Sequence, residues 1–339
     1  MPEPRKTDDT TRCGCANPRC PGAGAGGAIS DLDRLLAAPD FTSTFVTRPV
    51  DAVLGDLPTL DQVVGVTAAG PVIANDLGVH HPPSRAGDPL RIPSAGISLR
   101  VNPELLGTVL VTDPTPQVPP TLRFFDRAGN AAHVTYLVDG SDRLAFESIG
   151  LTLSGDVELH EDAADDRPAA APPESAEDPL EVDQLGLLDA VLADSGRGRL
   201  AALVGQAAHV GERRAGFHRV PPRSVIDALT HAASLTMPLT TCISSSGILQ
   251  LRHDRLHAVK EHHGSMVLAS QAARTMINFT AVAQCWVTRA EGAWGPTGAI
   301  ELYDRRGRCC FVATQTGPVD ESTRDGWAAL ISDLVDSRR

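Results

Sequence analysis

The sequence predicts an α+β protein made of two homologous halves, each with an antiparallel β-sheet and flanking helices. Three observations lead to this fold class: a β-hairpin pattern that occurs twice, a charged stretch that divides the chain into nearly equal parts, and strands that follow one another without regular helical crossovers. The chain has 339 residues, enough for two domains of roughly 150 residues each. Because a doubly wound parallel sheet needs regular βαβ alternation, that architecture is not expected.

The repeated hairpin is the main evidence for duplication. The segments LRFFDRAGNAAHVTYLV and IELYDRRGRCCFVATQT each contain an alternating strand, a D-R-x-G turn and a second alternating strand. The separation between Asp126 and Asp304 in these segments is matched, to within a single position, by the separation between Gly70 and Gly247 further upstream. We therefore expect Asp126 to correspond to Asp304 and Gly70 to Gly247. Two unrelated hairpins with common turn chemistry are the alternative.

Composition divides the chain into four regions. Residues 1–29 are polar, Pro/Gly-rich and aperiodic, so we expect a disordered, Cys-containing tail. Residues 156–183 are rich in Asp, Glu, Ala and Pro, which predicts an acidic, extended linker. The homologous halves are then residues 30–155 and 184–336.

Charge and hydropathy exclude several classes of protein. The net charge of −12 argues against a nucleic-acid-binding protein, because nothing offsets phosphate repulsion over a wide surface. No apolar run approaches the ~18 residues of a membrane span, and the first residues lack the apolar core of a signal peptide. The seven cysteines are unevenly placed and predict no disulfide framework. We therefore expect a cytoplasmic protein.

Several motifs, taken in their order, resemble those of a known family. In the second half they are AVAQCWVTR, TGAIELYDRRGR and DGWAALISDL, and in the first half SLRVNPELL and LRFFDRAGN. They are similar to segments of the HemS/HmuS-type hemin transport and hemin-degrading proteins, which are cytoplasmic products of bacterial haem-uptake systems. The resemblance covers about residues 45–335. It implies an internal repeat with haem (iron protoporphyrin IX) in a cleft between the halves.

The chain departs from this family at the positions of the haem ligands. The axial histidine of the family falls on Gln184, and the sequence has no histidine between His160 and His209. A second histidine of some members falls on Met276, whose thioether sulfur is a type of group that ligates haem iron. The resemblance implies haem-degrading oxygenase activity, but that chemistry needs an open iron site and a positioned ligand. Whether this chain is an enzyme therefore stays open at the level of sequence.

Cationic and imidazole side chains offer substitute contacts to haem, which presents iron to a neutral imidazole and two carboxylates to cations. The densest group lies in LRHDRLHAVKEHH, where strand alternation places His253 and Arg252 on opposite faces. A solvated hairpin edge is the alternative interpretation of this segment. The full set of candidate haem contacts is His253, His257, His209, His218, Arg252, Arg255, Lys260, Arg289, Gln184 and Met276.

The N-terminal tail carries a second candidate site. Cys13, Cys15 and Cys20 are three soft ligands that suit zinc, copper or an iron–sulfur centre. A disordered, reduced tail is the alternative. The leading functional hypothesis is a cytoplasmic haem-binding protein of bacterial haem uptake, acting in trafficking, storage or degradation, with a haem importer or a reductase as partner. The alternative is a degenerate family member with a non-haem ligand or a metal-dependent regulatory role.

Overall fold

The computed structural model describes residues 29–39, 41–89, 95–151, 179–194, 198–210, 216–292, 295–316 and 319–336. The tail predicted to be disordered lies outside the described residues up to residue 28, and with it Cys13, Cys15 and Cys20. Most of the predicted linker lies outside them as well.

The described chain is a mixed α+β structure, as predicted. The helices are α1 Asp31–Leu36, α2 Val50–Asp56, α3 Arg143–Gly150, α4 Pro179–Ala193, α5 Gly198–Val210, α6 Pro222–Ser234 and α7 Glu321–Asp336. The strands of the first half are β1 Ser43–Phe45, β2 Asp61–Ala69, β3 Val72–Val79, β4 Ser84–Arg85, β5 Ser98–Val101, β6 Leu106–Thr112, β7 Thr121–Asp126 and β8 Ala131–Ser141. Those of the second half are β9 Phe217–Val220, β10 Pro238–Ser245, β11 Ile248–Arg255, β12 Ala258–His262, β13 Ser265–Ala269, β14 Ala273–Ile277, β15 Gln284–Gly292, β16 Gly295–Tyr303 and β17 Cys309–Thr314.

Helix α4 begins inside the stretch that composition assigned to the linker. The predicted linker extends to residue 183, whereas the helix starts at Pro179. Proline is favoured in the first turn of a helix. The last residues assigned to the linker, 179–183, are therefore helical.

The strands form two sheets that each combine both halves. In the first sheet the order is β1-β6-β7-β8-β2-β3-β14-β13-β12, and in the second it is β4-β5-β11-β10-β17-β16-β15-β9. Six strands of the first half thus repeat as β9-β15-β16-β17-β10-β11 in the second half. Each sheet is completed by strands from the other half: β12 to β14 extend the first sheet, and β4 and β5 extend the second. The predicted duplication is confirmed, and the two halves exchange strands.

The pairing register tests the duplication residue by residue. Val72 pairs with Ile277, and Ile248 pairs with Val101. Residue 72 is therefore as far from residue 248 as residue 101 is from residue 277, so a single offset relates the two exchanged pairs. In the central hairpins Leu122 pairs with Thr135 and Ile300 with Ala313, which gives an offset longer by two positions. The equivalence of the halves therefore extends to the pairing of individual residues.

The repeated turn residues confirm one predicted equivalence and correct the other. The Asp126 carboxylate accepts the backbone N–H groups of residues 128 and 130, and the Asp304 carboxylate accepts those of residues 306 and 308. Asp126 therefore corresponds to Asp304, as predicted. Gly70 and Gly247 both have positive φ, but they occupy the first and second positions of equivalent two-residue turns. These glycines lie one position apart, because the offset at this hairpin is the shorter one.

The core has three apolar layers. Helices α6 and α7 pack on one face of the second sheet, which also meets β3, β13 and β14 of the first sheet. We call the face of the second sheet that α6 and α7 cover the inner face. Helices α2 and α3 pack on the first sheet together with β5. Helices α4 and α5 cover the opposite, outer face of the second sheet.

Candidate functional site

The outer face of the second sheet is closed by apolar packing. The helices contribute Leu188, Val191, Leu192, Leu203 and Ala207, which pack against Cys242, Leu249, Leu251, Trp286, Tyr303 and Val312 of the sheet. All of these side chains are buried. Within the described residues, a porphyrin therefore does not fit beneath α4 and α5 unless the helices move.

A buried ion pair fastens α4 to this face. The Arg100 guanidinium on β5 has no exposed surface and donates two hydrogen bonds to Asp189 on α4, at 2.5 and 3.0 Å. It also donates to the hydroxyl of Ser84 and to the backbone carbonyl of Asp88. This forked geometry matches a planar guanidinium to a carboxylate and leaves little freedom for either side chain.

A second buried ion pair fastens α5. Arg199 donates to both carboxylate oxygens of Glu301 at 2.7 Å, and the Tyr303 hydroxyl donates to the same carboxylate at 2.7 Å. Glu301 has no exposed surface. Burial raises the pKa of Tyr303 well above its ordinary value, so the phenol keeps its proton and remains a donor. Each of the two covering helices is thus held to the sheet by charge.

His253 lies at the margin of this face, on β11. Its Nδ1 lies 2.9 Å from the hydroxyl oxygen of Thr240, which in turn lies 2.5 Å from the hydroxyl oxygen of Thr316. Partial burial lowers the pKa of His253, against an opposing effect of Asp254. The imidazole is therefore neutral at neutral pH. With Nδ1 as the donor to Thr240, the Nε2 lone pair is available as a metal ligand.

Strand alternation separates the cationic residues around His253, as predicted. Arg255 follows two residues later on the outer face and is exposed. Arg252 is buried on the inner face, where it donates to Asp254 at 2.9 Å and to the backbone carbonyl of Gly96 at 3.1 Å. Lys260 lies on β12 of the first sheet, because the chain leaves the second sheet after β11. Arg252, Arg255 and Lys260 therefore do not lie on one face.

The other candidate contacts are dispersed. His218 is buried on the inner face, next to Val287 on β15. Arg289 is exposed on β15, and three strands separate β15 from β11, which corresponds to about 19 Å at the usual strand spacing. Met276 lies on β14 of the first sheet.

The remaining candidates also fall outside one cluster. His257 is exposed in the connection between β11 and β12. Gln184 lies in α4 and His209 in α5, and their side chains lie outside the described residues. The structure therefore brings together His253 and Arg255 and does not gather the whole predicted set.

Known proteins resemble this chain in structure and not in sequence. No family model and no curated protein matches the sequence. Among solved structures, apo-PhuS, a haem-binding protein from Pseudomonas aeruginosa, matches with a TM-score of 0.60, 19% identity and 89% coverage of both chains. ChuS, a haem oxygenase from Escherichia coli, matches with a TM-score of 0.62 and 14% identity over 86% of this chain and 89% of that chain. The chain has a HemS-like fold.

The HemS-like fold also encloses a polar interior that sequence reasoning missed. Asp76 on β3 and Gln250 on β11 face each other between the two sheets, and both are buried. Burial raises the pKa of Asp76 to about 6, although a hydrogen bond from Gln250 and the charge of Arg252 oppose that shift. Strand alternation could not have identified Asp76, because the buried phase of VIANDLGV that contains it is less apolar than the exposed phase, which holds Ile73, Leu77 and Val79.

Two buried histidines belong to the same interior. Nδ1 of His133 lies 2.8 Å from the Thr67 hydroxyl, and Nε2 of His80 lies 3.0 Å from the Thr135 hydroxyl. Burial lowers the pKa of His133 to about 3 and that of His80 well below its ordinary value. Both imidazoles are neutral core side chains.

Metal-ligand clusters and membrane-spanning helices are both missing from the part of the HemS-like chain that the structure describes. There, no group of three or more His, Cys, Asp or Glu side chains is arranged to hold a metal ion. None of the described helices is long and apolar enough to span a bilayer.

Proposed function

We propose that this protein binds haem as cargo and acts in bacterial haem utilisation, in the cytoplasm. One observation carries the proposal: the fold resembles that of a haem-binding protein and of a haem-degrading enzyme over nearly the whole of each chain. We favour carriage or storage over degradation. Degradation needs an iron with a free coordination position inside a closed pocket, and the described residues of the outer face form no such pocket. A haem importer would supply the cargo.

His253 is the iron ligand in this proposal. Its imidazole is neutral, its Nδ1 is held by Thr240, and its Nε2 has no hydrogen-bond partner among the described residues. Arg255 lies on the same face about 7 Å further along the strand, where an exposed guanidinium is suited to a haem carboxylate. Together they offer one contact to the iron and one to the edge of the porphyrin.

Haem binding at His253 requires helix α4 to move away from the outer face. The apolar surface next to His253 on the outer face is Leu251 and Leu249, which α4 covers. Exposing it to a porphyrin would break the Arg100–Asp189 pair. The free energy needed for this opening subtracts from the gain of macrocycle burial, and we therefore expect micromolar affinity, about −8 kcal/mol.

Titration of the full chain with hemin at pH 7.5, followed at the Soret band, tests the proposal. We expect wild type to bind in the micromolar range, and His253→Ala to bind at least tenfold more weakly with an altered Soret maximum. His231→Ala is the matched control, because His231 is exposed on α6 and should leave both unchanged. Absence of hemin binding would overturn the function, and identical spectra for wild type and His253→Ala would overturn the ligand assignment.

Incubation of the hemin complex with ascorbate and oxygen separates carriage from degradation. We expect the Soret band to persist, since a single imidazole at an open margin does not organise oxygen chemistry at the iron. Loss of the band with release of a linear tetrapyrrole would replace carriage by degradation.

A further inference from the structure

One face of the first sheet is left open within the described residues. Along β3, the buried side chains of Val72 and Ala74 face the second sheet, and the alternate side chains point away from it. These alternate positions hold Ile73, Leu77 and Val79, which are 47%, 41% and 41% exposed. We call the surface that they form with the neighbouring strands the open face.

The pairing register joins these residues into one apolar surface. Ile73 pairs with Met276 on β14, and Met276 pairs with Val267 on β13. On the other side of β3, Leu77 pairs with Val64 on β2. Paired residues of adjacent strands point to the same face of a sheet, so the apolar surface extends over four strands. A contiguous exposed surface of this kind marks a binding site, whereas single exposed apolar residues do not.

The charge of the open face is opposite in sign to that of the whole chain. Among the positions of β2, β3, β12, β13 and β14 that point to it, Arg274 and Lys260 are charged, and none is Asp or Glu. Both cations are exposed, and Lys260 pairs with Val267 at the border of the apolar surface. The net charge of the chain is −12. An occupant that combines apolar and acidic side chains therefore complements this face.

The second half shows what covers an equivalent face. By the offset that relates the two exchanged pairs, Ile73 corresponds to Leu249, which is buried in the layer that α4 and α5 form on the second sheet. Helix α4 contributes to this layer three apolar side chains with i, i+3, i+4 spacing: Leu188, Val191 and Leu192. Next to them, Asp189 pairs with Arg100 of the sheet. The repeated architecture thus accepts an acidic amphipathic helix.

The first half has no described counterpart of α4 on the open face. The strand that corresponds to β9 is β1, and the described helix before it is α1, which has 6 residues and no buried side chain. Its Leu32 N–H donates to the Gly129 carbonyl, and its Asp31 carboxylate accepts the Ala131 N–H. Helix α1 therefore lies at the turn between β7 and β8, away from β3 and β14.

We propose that the open face docks an acidic amphipathic helix of a partner protein. Apolar side chains of that helix pack on Ile73, Leu77 and Met276, and its carboxylates pair with Arg274 and Lys260. A second copy, docked through the same face, would set these cations against themselves across a two-fold axis. An anionic membrane would repel the rest of a chain with a net charge of −12.

Two labelled peptides test the proposal on the full chain at pH 7.5 by fluorescence anisotropy. The acidic peptide has the sequence of α4, PLEVDQLGLLDAVLA, and the basic peptide carries Glu181→Lys, Asp183→Lys and Asp189→Lys. We expect the acidic peptide to bind saturably and the basic peptide to bind at least about tenfold more weakly. No saturable binding of the acidic peptide, or equal binding of the basic one, would overturn the proposal.

Variants of the open face assign the site. The double variant Ile73→Thr, Leu77→Thr should weaken binding of the acidic peptide at least about tenfold. Leu144→Thr is the matched control, because Leu144 lies on α3 and is 78% exposed, and it should leave the affinity unchanged. The double variant Arg274→Glu, Lys260→Glu should reverse the preference, so that the basic peptide binds more tightly.

The charge-reversal variant keeps the test valid if Ile73→Thr, Leu77→Thr folds poorly. Unchanged binding in both double variants would place the peptide elsewhere and overturn the proposal. His253→Ala should leave peptide binding intact, because His253 lies on the second sheet. This inference and the haem proposal therefore fail independently.

Sedimentation velocity and co-sedimentation with phosphatidylglycerol vesicles test the other occupants of the open face. We expect neither self-association nor vesicle binding that depends on Ile73 and Leu77. A dimer that Ile73→Thr, Leu77→Thr dissociates would overturn the proposal in favour of a second copy. Vesicle binding that the same variant abolishes would overturn it in favour of a membrane.

Discussion

The two faces of the second sheet differ in how completely their buried charged side chains are hydrogen-bonded. On the outer face, the Arg199 and Glu301 side chains satisfy each other with two hydrogen bonds, and among the described residues neither keeps a buried polar atom without a partner. On the inner face, Arg252 has a carboxylate partner but retains an unpaired Nε beside the unpaired oxygen of Gln250. A completed ion pair fixes structure, whereas an incomplete polar set leaves buried donors and acceptors that water satisfies.

The largest expected effect comes from breaking the completed pair on the outer face. Glu301→Ala removes the carboxylate that serves both Arg199 and Tyr303 and should lower the free energy of unfolding by about 3–5 kcal/mol. Urea denaturation measures this. The double variant Glu301→Leu, Arg199→Leu should recover much of the loss, since it leaves no unpaired buried charge. A loss below about 1 kcal/mol for Glu301→Ala would show that the pair is loose.

The next effect tests the inner face through pH. The pKa of Asp76 is about 6 when folded and 3.8 at its ordinary value, so the folded state holds this proton more tightly. Its ionisation therefore destabilises the fold progressively between pH 3.8 and 6 and fully above that window. Asp76→Asn should remove this pH dependence and raise the stability at pH 7 by about 2–3 kcal/mol.

Chemical denaturation of wild type and Asp76→Asn at pH 4 and pH 7 measures the difference. Only the pH 7 values should diverge in favour of the variant. A variant that is less stable than wild type at both pH values would contradict the assignment of a strained, buried carboxylate.

The smallest expected effect comes from comparing two Arg–Asp ion pairs that differ in burial. Asp189 retains 22% exposure of its side chain, so Asp189→Ala should cost about 2 kcal/mol, less than the loss of Glu301. Asp227→Ala, in the exposed pair with Arg223 on α6, should change stability by less than about 0.5 kcal/mol. Similar losses in the two variants would mean that burial does not set the strength of these pairs.

The hairpins and their duplication are predictable from the sequence because their signals are local. The D-R-x-G turn places Asp126 and Asp304 where their carboxylates accept the turn N–H groups, and strand alternation correctly separates Arg252 from His253. The destination of a strand is not local information. No local feature of β12 to β14 predicts that β14 pairs with β3, at Asn75 and its neighbours. The same sequence could equally continue the sheet of its own half.

The site was less predictable than the fold for a related reason. Arg100 and Asp189 are 89 residues apart, and only the packing of α4 across β5 brings them together. No recognised sequence motif surrounds Asp76. Its burial opposite Gln250 depends on how the two sheets pack, which the sequence around Asp76 does not reveal. His253 and Arg255, by contrast, are neighbours on one strand, so alternation alone places them on one face.

The exchange of strands has a consequence for how such a chain arises and assembles. Two identical subunits that each lend an edge segment to the other's sheet, once joined end to end, would give the strand orders seen here. Neither half alone then forms a complete sheet, because each lacks the edge strands that the other half supplies. Separately produced halves, cut between Gly150 and Pro179, should be unstable alone and should assemble on mixing into a one-to-one complex that restores both borders.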